Sequence, residues 1–206
     1  MEKISVVPCG LHDSASSTTV RSHTASPKLI TIGRLIPRKG VAWFLESVLP
    51  ILLIHYPDMT YDVVGDGQQR RTIEQICRDK KLGRAVRIRG FVDESTKNEL
   101  LCNANLFIMP NIPIQGDMEG FGIACIEASA KGVPVVAARL EGIEDAVIEG
   151  KTGFFFTTHD PIGCARAIQQ ALEAPLKTET VSAETTKIFS WEHLSKAYKY
   201  ILFSAT

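Results

Sequence analysis

The sequence has 206 residues, a length that suits one domain or one domain with short appendages. Hydrophobic residues make up 45% and charged residues 22%, so the chain has enough apolar material for a core, and global disorder is excluded. The 23 basic side chains balance the 23 acidic ones. Nucleic-acid binders usually carry a basic excess, so no nucleic-acid partner is expected and any anion site must be local.

The cysteines indicate a reducing compartment. They are odd in number, widely spaced and without a Cys-x-x-Cys motif, which argues against a zinc site or a disulfide framework. We expect all five to be small buried hydrophobes: Cys9, Cys77, Cys102, Cys125 and Cys164. The longest apolar region, 48–54, is interrupted by Pro50, and no signal-peptide pattern is found at the N-terminus, so a cytoplasmic protein is expected.

Short apolar runs alternate with stretches of helical spacing along most of the chain. A first short strand is predicted at 4–7, and the polar stretch that follows, 13–26, is typical of a loop or linker. From Lys28 onward each run has the length of a buried strand. The predicted strands are 29–32, 61–64, 86–88, 106–109, 133–137 and 154–156.

Helical spacing fills the intervals between these strands. The first helix contains Pro50, which should kink or end it because proline cannot donate to the carbonyl of Glu46. A later helix is predicted at 161–172, with Asp160 as its cap. An amphipathic terminal helix has Ser190 as a candidate cap, and the stretch before it is predicted to be a connector.

Strands that are apolar on both faces and alternate with helices predict the α/β class. The expected fold is a doubly wound, Rossmann-like parallel sheet with helices on both faces. In such sheets ligands bind at the carboxyl ends of the strands, so the functional residues are sought there.

A basic turn follows the strand predicted at 29–32. In the segment 33–40 (GRLIPRKG), Arg34 and Lys39 lie between the end of that strand and the start of a helix. A helix N-terminus carries partial positive charge, so cations clustered there indicate an anion, and both side chains suit phosphate oxygens. A solvated basic turn is the alternative, and this motif alone does not decide between them.

A glycine-rich segment, 119–127 (EGFGIACIE), opens a later helix. Its glycines allow close backbone approach, and the helix start offers free N–H groups to a phosphate or sugar oxygen. Carboxylates such as Glu119 and Glu127 accept paired hydrogen bonds from vicinal hydroxyls. The alternatives are charge complementarity with the helix N-terminus for Glu119 and a solvent-facing position for Glu127.

Two further glycine turns follow predicted strands. Gly65 lies in a Gly-Asp-Gly turn after the second strand, and Gly90-Phe91 follows the third. The glycine at 90 can let a planar base lie against the backbone, whereas a simple turn into the next helix is the alternative at both places. The P-loop, the dinucleotide-binding GxGxxG and the hydrolase GxSxG motifs are absent from the sequence.

Taken in chain order, these motifs resemble the C-terminal domain of the family 4 glycosyltransferases, retaining enzymes with the two-domain GT-B fold. The matching motifs are Val7-Pro8-x-Gly10, Gly33-Arg34-Leu35 with Lys39-Gly40, Val64-Gly65-Asp66-Gly67, Gly90-Phe91-Val92, Ala104 to Pro110, Glu119-Gly120-Phe121-Gly122, Glu127-Ala128, Gly132 to Ala137 and Gly150 to Phe154.

The resemblance implies a nucleotide-sugar donor and assigns roles to the residues above. Arg34 and Lys39 would neutralise the donor diphosphate in place of a metal, so neither a metal nor another cofactor is expected. Glu127 would bind the ribose hydroxyls and Glu119 the transferred hexose. The remaining implied contacts are the backbone around Phe121, Gly122 and Ile123 for the sugar or phosphates, Gly90-Phe91 for the base, and the strand-end glycines Gly33 and Gly65.

The resemblance also implies a domain organisation. Residues 28–176 would be the donor-binding domain, preceded by a strand and interdomain linker (1–27). Residues 177–206 would be a connector and a C-terminal helix that packs toward an N-terminal acceptor domain absent from this chain. The expected partners are the donor and that acceptor domain, membrane association through the absent half is left open, and little or no transfer is expected from this chain alone.

Two positions depart from the family pattern. Cys9 replaces the usual asparagine, and Glu141-Gly142 replaces a Gly-Gly pair, which puts donor-sugar contact there in question. Two alternatives stay open: another GT-B chemistry, such as nucleotide-sugar epimerisation, and a non-catalytic nucleotide-binding or scaffold module.

Overall fold

Six parallel strands in the order β3-β2-β1-β4-β5-β6 form the sheet of this protein. The computed structural model describes residues 9–11 and 26–203, so the strand predicted at 4–7 lies outside the described residues. The strands are β1 (Lys28–Ile32), β2 (Thr60–Val64), β3 (Val86–Gly90), β4 (Leu106–Met109), β5 (Val135–Ala138) and β6 (Gly153–Phe156). The order reverses between β1 and β4, as in the doubly wound dinucleotide-binding fold, so the predicted fold class is confirmed.

Helices connect the strands and follow the last one. They are α1 (Val41–Trp43), α2 (Leu49–His55), α3 (Arg70–Asp79), α4 (Glu94–Asn103), α5 (Ile123–Ala130), α6 (Pro161–Glu173), α7 (Thr178–Phe189) and α8 (Trp191–Phe203). None of the helices in the described part of the chain combines the length and the apolar character that a membrane crossing requires.

The alternation of side chains along each strand divides the core into two layers. In β4, Leu106 and Ile108 face the layer that contains α1, α2, α3 and α6, whereas Phe107 and Met109 face the layer that contains α5. All four side chains are essentially inaccessible to solvent. The strands therefore read as continuous apolar runs because both faces of the sheet are covered.

A π-helical turn accommodates Pro50 in the first helical segment. Residues Phe44–Val48 form this turn, and the N–H of Leu49 closes it on the carbonyl of Phe44. The wide turn starts a new α-helix in whose first turn Pro50 lies, where the N–H that proline lacks is not needed. The α-helical hydrogen-bond pattern is therefore interrupted at Phe44–Val48, just before Pro50, and resumes as α2.

The stretch at 178–186, which was predicted to be a connector, is helical. It forms most of α7, which also includes Phe189. Two of its hydroxyl groups donate hydrogen bonds to backbone carbonyls within the fold. Thr185 donates to the carbonyl of Val181 at 2.7 Å, and Ser182 donates to that of Ala130 at the end of α5, also at 2.7 Å. Small hydrogen-bonded side chains therefore let α7 pack closely on α5.

The caps predicted for two helices are confirmed. The Asp160 carboxylate accepts the N–H of Gly163 at 2.8 Å, and the Ser190 hydroxyl accepts the N–H of His193 at 3.3 Å. The burial predicted for the cysteines is confirmed for Cys125 and Cys164. Cys77 and Cys102 are partly buried. The prediction is wrong for Cys9, which is exposed because it borders an open cleft.

Candidate functional site

Three of the predicted glycines lie side by side where β1, β2 and β3 end. The N–H of Gly33 donates to the carbonyl of Val64 at 3.0 Å, and the N–H of Gly65 donates to that of Gly90 at 2.8 Å. Gly65 has a φ of +125°, and a Cβ placed on it would lie 2.0 Å from the carbonyl oxygen of Gly33. A side chain cannot occupy that position, so glycine at 65 allows the ends of β1 and β2 to approach each other closely.

The basic turn after β1 separates its cations into two groups. A 3₁₀ turn at Pro37–Lys39 ends at Gly40, whose φ is +64°. Arg34 is exposed and forms no ion pair with any residue in the described ranges. Arg38 is buried, and Lys39 is partly buried and faces the same way. The turn therefore presents one free guanidinium to solvent and directs two cations at the segment that precedes α5.

An ion-pair network connects this turn to Glu119. Lys39 Nζ lies 2.5 Å from Glu119 Oε2, and each of the two side chains is only 11% exposed. Arg38 Nη1 lies 2.8 Å from Asp117 Oδ1, and its Nε lies 3.7 Å from Glu119 Oε2. Asn111 Nδ2 also donates to Glu119 Oε2, at 2.9 Å. The Oε2 atom of Glu119 therefore contacts the ammonium of Lys39, the amide of Asn111 and the guanidinium of Arg38.

The network decides the charge of Glu119. Burial by itself raises the pKa of this carboxyl, because a charged group loses solvation. The hydrogen bond and the positive charge of Lys39, together with Asn111 and Arg38, outweigh burial and hold the pKa below its ordinary value of 4.5. Glu119 is therefore an anion at neutral pH, and it forms an ion pair with Lys39.

The glycine-rich segment before α5 faces the basic turn. Gly122 has a φ of +75° and is the N-cap of α5. Phe121 packs its ring edge on Phe189 with 5.8 Å between the ring centroids, whereas Ile123 is half exposed at the start of the helix. The segment is thus anchored by an aromatic contact while its backbone borders open space.

An open cleft of about 590 Å³ lies between the basic turn and this segment. Its walls include seven of the predicted site residues: Gly33, Arg34, Lys39, Glu119, Phe121, Gly122 and Ile123. Arg38 and Cys9 also line it. The cleft therefore carries cations on one side and a carboxylate with the N-terminus of α5 on the other, at the carboxyl edge of the sheet where this fold class binds ligands.

Four predicted residues do not line this cleft: Gly65, Gly90, Phe91 and Glu127. Gly65 and Gly90 lie on the neighbouring part of the rim, and the ring of Phe91 is 85% exposed. Glu127 is partly exposed on α5, with its Oε2 3.5 Å from Lys97 Nζ. This ion pair joins Glu127 to α4, the helix that begins shortly after Phe91.

Lys97 was missed by the sequence reasoning. Its ammonium also lies 2.9 Å from Glu94 Oε2. Burial lowers the pKa of Lys97, but the carboxylates of Glu94 and Glu127 outweigh this effect and raise the pKa above its ordinary value. Asn111 and Asp117 were missed as well, although Asn111 directly follows the Met109-Pro110 end of β4 and could have been found by its place at a strand end.

The departure at Glu141-Gly142 contacts the same segment. Glu141 has a φ of +51°, and its carboxylate accepts the N–H of Glu119. A Cβ placed on Gly142 would lie 2.0 Å from the carbonyl oxygen of Gly120. Gly142 thus still allows the two backbone segments to approach closely. Glu141, where the family pattern has glycine, contributes a carboxylate.

No group of three or more His, Cys, Asp or Glu side chains in residues 9–11 and 26–203 is placed to hold a metal ion. The predicted independence from metals is not tested by this arrangement and stays a prediction. The positively charged side chains that line the cleft, and that could bind an anionic ligand there, are Arg34, Arg38 and Lys39.

A family model and the sequences of known proteins assign this chain to the same family. Residues 26–174 match the family described as Glycosyl transferases group 1. The chain is 29% identical to glycogen synthase of Mycobacterium tuberculosis over 189 residues, which is 90% of this chain and 44% of that protein. It is 32% identical, over 72% of its length and 39% of the relative, to a GDP-mannose-dependent alpha-(1-6)-phosphatidylinositol monomannoside mannosyltransferase of Mycolicibacterium smegmatis.

Solved structures agree on the fold. Sucrose-phosphate synthase from Thermosynechococcus elongatus superimposes with a TM-score of 0.74 and 25% identity over 97% of this chain and 53% of that one. Anabaena Alr3699/HepE in complex with UDP-glucose gives a TM-score of 0.71 and 25% identity over 87% and 49%. The chain thus spans roughly half the length of these relatives or less.

Proposed function

This chain belongs to the glycosyl transferases group 1, and from that premise we propose that it is the donor-binding, C-terminal domain of a family 4 retaining glycosyltransferase. The GT-B fold of its relatives and the six-stranded sheet agree with this assignment. The observation that carries the proposal is the cleft in which Arg34 and Lys39 face Glu119 and the start of α5. Such a cleft suits a ligand that joins a diphosphate to a sugar.

The cations bind the diphosphate of a nucleotide sugar. Arg34 is exposed and has its guanidinium available for a bidentate contact with phosphate oxygens. Lys39 is held by Glu119 until the phosphates compete for it. When the bond between the sugar carbon and the diphosphate breaks, negative charge grows on the leaving nucleoside diphosphate, and these two side chains stabilise that charge without a metal ion.

Acidic side chains hold the sugars on either side of the diphosphate. Glu119 contacts the transferred hexose, because its carboxylate lies in the cleft and can accept hydrogen bonds from hydroxyls. Glu127 binds the ribose hydroxyls near the loop after β3, where Gly90 and Phe91 lie against the base. The hexose then passes to an acceptor hydroxyl with retention, which gives an α-linked product.

An acceptor domain completes the enzyme. The relatives named above are about twice as long as this chain or longer. On α8 the aromatic side chains of Tyr200 and Phe203 are largely exposed, and their i, i+3 spacing puts them one turn apart, so we expect them to belong to the surface that packs toward that domain. Because acceptor groups belong to the other half, we expect this chain alone to bind nucleotide weakly and to transfer little or no sugar.

Titration calorimetry with UDP and with GDP tests the assignment of Lys39. The parent chain is compared with Lys39→Ala, and with Lys196→Ala as a matched control at an exposed position of α8. Loss of a charge-assisted contact should weaken nucleotide binding about 10- to 100-fold in Lys39→Ala and leave the control unchanged. Equal binding by the parent and Lys39→Ala would contradict the role of Lys39. If neither nucleotide binds the parent or raises its melting temperature, the non-catalytic alternative is favoured.

A further inference from the structure

Glu141 adopts a backbone conformation that residues with a side chain rarely take. Its φ of +51° is in the left-handed region, and within the described ranges only two other residues besides glycine, Lys81 and His159, share a positive φ. This conformation is strained for a residue with a Cβ, and it persists where surrounding contacts enforce it. The contacts of Glu141 therefore indicate what the conformation is for.

Those contacts fasten the turn Glu141–Ile143 to the segment that carries Glu119. The Glu141 carboxylate accepts the N–H of Glu119. Gly142 lies against the carbonyl oxygen of the next residue, Gly120, at a distance that excludes any Cβ. Ile143 is fully buried in the core and anchors the turn. The turn thus contacts the segment at two places, by a hydrogen bond to the Glu119 N–H and by close backbone packing against the Gly120 carbonyl.

The backbone and the side chain of Glu119 are consequently fixed by different groups. Lys39, which lines the cleft, and the buried Asn111 hold its carboxylate, at 2.5 and 2.9 Å. When a diphosphate engages Lys39, the carboxylate loses its nearest partner, whereas the bond from Glu141 to the Glu119 N–H does not depend on Lys39. We propose that Glu141 is a positioning residue that fixes the backbone of Glu119 and so directs its carboxylate at the transferred sugar.

This inference rests on the proposed function, because it assumes that Glu119 contacts the sugar of a nucleotide-sugar donor. It adds that the Glu119 N–H is occupied by Glu141 and does not bind the sugar, so the contact of residue 119 with the sugar is made by its carboxylate. Loss of Glu141 should therefore weaken the contribution of the sugar to binding while it leaves the contribution of the nucleotide nearly unchanged.

Calorimetry on the full chain measures this contribution as the ratio of two dissociation constants. The probes are UDP with UDP-glucose and GDP with GDP-mannose, and the pair that binds the parent is used. Glu141→Ala removes the acceptor, Glu141→Gln keeps an oxygen that can accept the same hydrogen bond, and Glu141→Gly removes the acceptor together with the strain. Asp145→Ala, at an exposed position on the same rim, is the matched control for loss of one negative charge.

We expect Glu141→Ala and Glu141→Gly to reduce the preference for nucleotide sugar over nucleotide on the order of fivefold, which corresponds to a hydrogen bond of ordinary strength. Glu141→Gln and Asp145→Ala should keep the parent ratio. Glu141→Gly should melt at a higher temperature than Glu141→Ala, since glycine adopts the left-handed region without strain. Hydrogen exchange of the Glu119 amide should accelerate in the Ala and Gly variants and stay slow in the Gln variant.

Three results would overturn the inference while the proposed function stands. The first is an equal change in the affinities for nucleotide and nucleotide sugar, as a merely structural role predicts. The second is failure of Glu141→Gln to retain the parent ratio. The third is exchange of the Glu119 amide that stays as slow in Glu141→Ala as in the parent. If none of the four probes binds the parent, the proposed function fails, and the exchange of the Glu119 amide still reports whether Glu141 holds that backbone.

Discussion

Replacing Lys39 with methionine tests the ion pair at the centre of the cleft. Methionine keeps an unbranched apolar stem and removes the ammonium that lies 2.5 Å from Glu119. Both side chains are 11% exposed, and removing one partner of a buried pair costs about 3–5 kcal/mol because the other charge stays buried. In this variant Glu119 still contacts Asn111 at 2.9 Å and Arg38 at 3.7 Å. We therefore expect the free energy of unfolding to fall by about 2–3 kcal/mol, at or below the lower end of that range.

The loss should depend on pH in a defined direction. Because the pKa of Glu119 is lowered in the folded chain, its carboxylate contributes stability that is fully present above the ordinary value of 4.5 and is lost as the pH falls through the folded value. In Lys39→Met the chief partner is gone, so burial shifts this pKa upward. The destabilisation should therefore be largest at neutral pH and should shrink as Glu119 is protonated.

Urea unfolding at about pH 7 and about pH 4 measures both effects. In a domain of this size a loss of about 2–3 kcal/mol corresponds to a fall in melting temperature of roughly 4–12 °C, which gives a second readout. Lys196→Met, whose ammonium is paired with Glu192 on the surface of α8, is the matched control and should change stability by less than about 0.5 kcal/mol. An equal loss at both pH values, or a variant at 39 no less stable than the control, would refute this account of the pair.

Three further substitutions probe the packing around the site, each by the free energy of unfolding in urea. Gly142→Ala should destabilise by about 2 kcal/mol or more, because its Cβ would lie 2.0 Å from the carbonyl oxygen of Gly120, and a loss below about 0.5 kcal/mol would contradict that close approach. Asp160→Ala should cost about 1 kcal/mol by removing the cap of α6, and Asp160→Asn, which keeps an acceptor, should recover most of it. Tyr61→Phe removes a buried hydroxyl that lies 2.7 Å from the Thr31 hydroxyl and should cost about 1 kcal/mol with no change in the urea dependence; an unchanged stability would show that this bond contributes nothing.

The sequence by itself determined the layers of the fold and the edge at which the site lies. The six strands predicted from Lys28 onward all occur, within two residues at the ends of each, because strands buried on both faces must be apolar throughout and helices must separate them. The strand ends were marked by glycines that tolerate close approach, such as Gly33 and Gly65. These signals are local, so they could be taken from neighbouring residues.

Several features were decided by the tertiary structure alone. The Ser- and Thr-rich stretch of α7 became helical because α5 supplied a carbonyl acceptor and a surface for small side chains. In the basic turn, Arg34 is exposed, whereas Arg38 is buried and paired with Asp117. The local sequence does not predict which of the two arginines is buried.

The same holds for the groups around Glu119, which come from three strand ends. Lys39 is 80 positions away in the chain, and Glu141 is 22 positions away on the other side. Local propensity does not report which side chains meet across such separations. Their meeting is fixed by the parallel order of β1, β4 and β5, which brings the carboxyl ends of these strands together at one edge of the sheet.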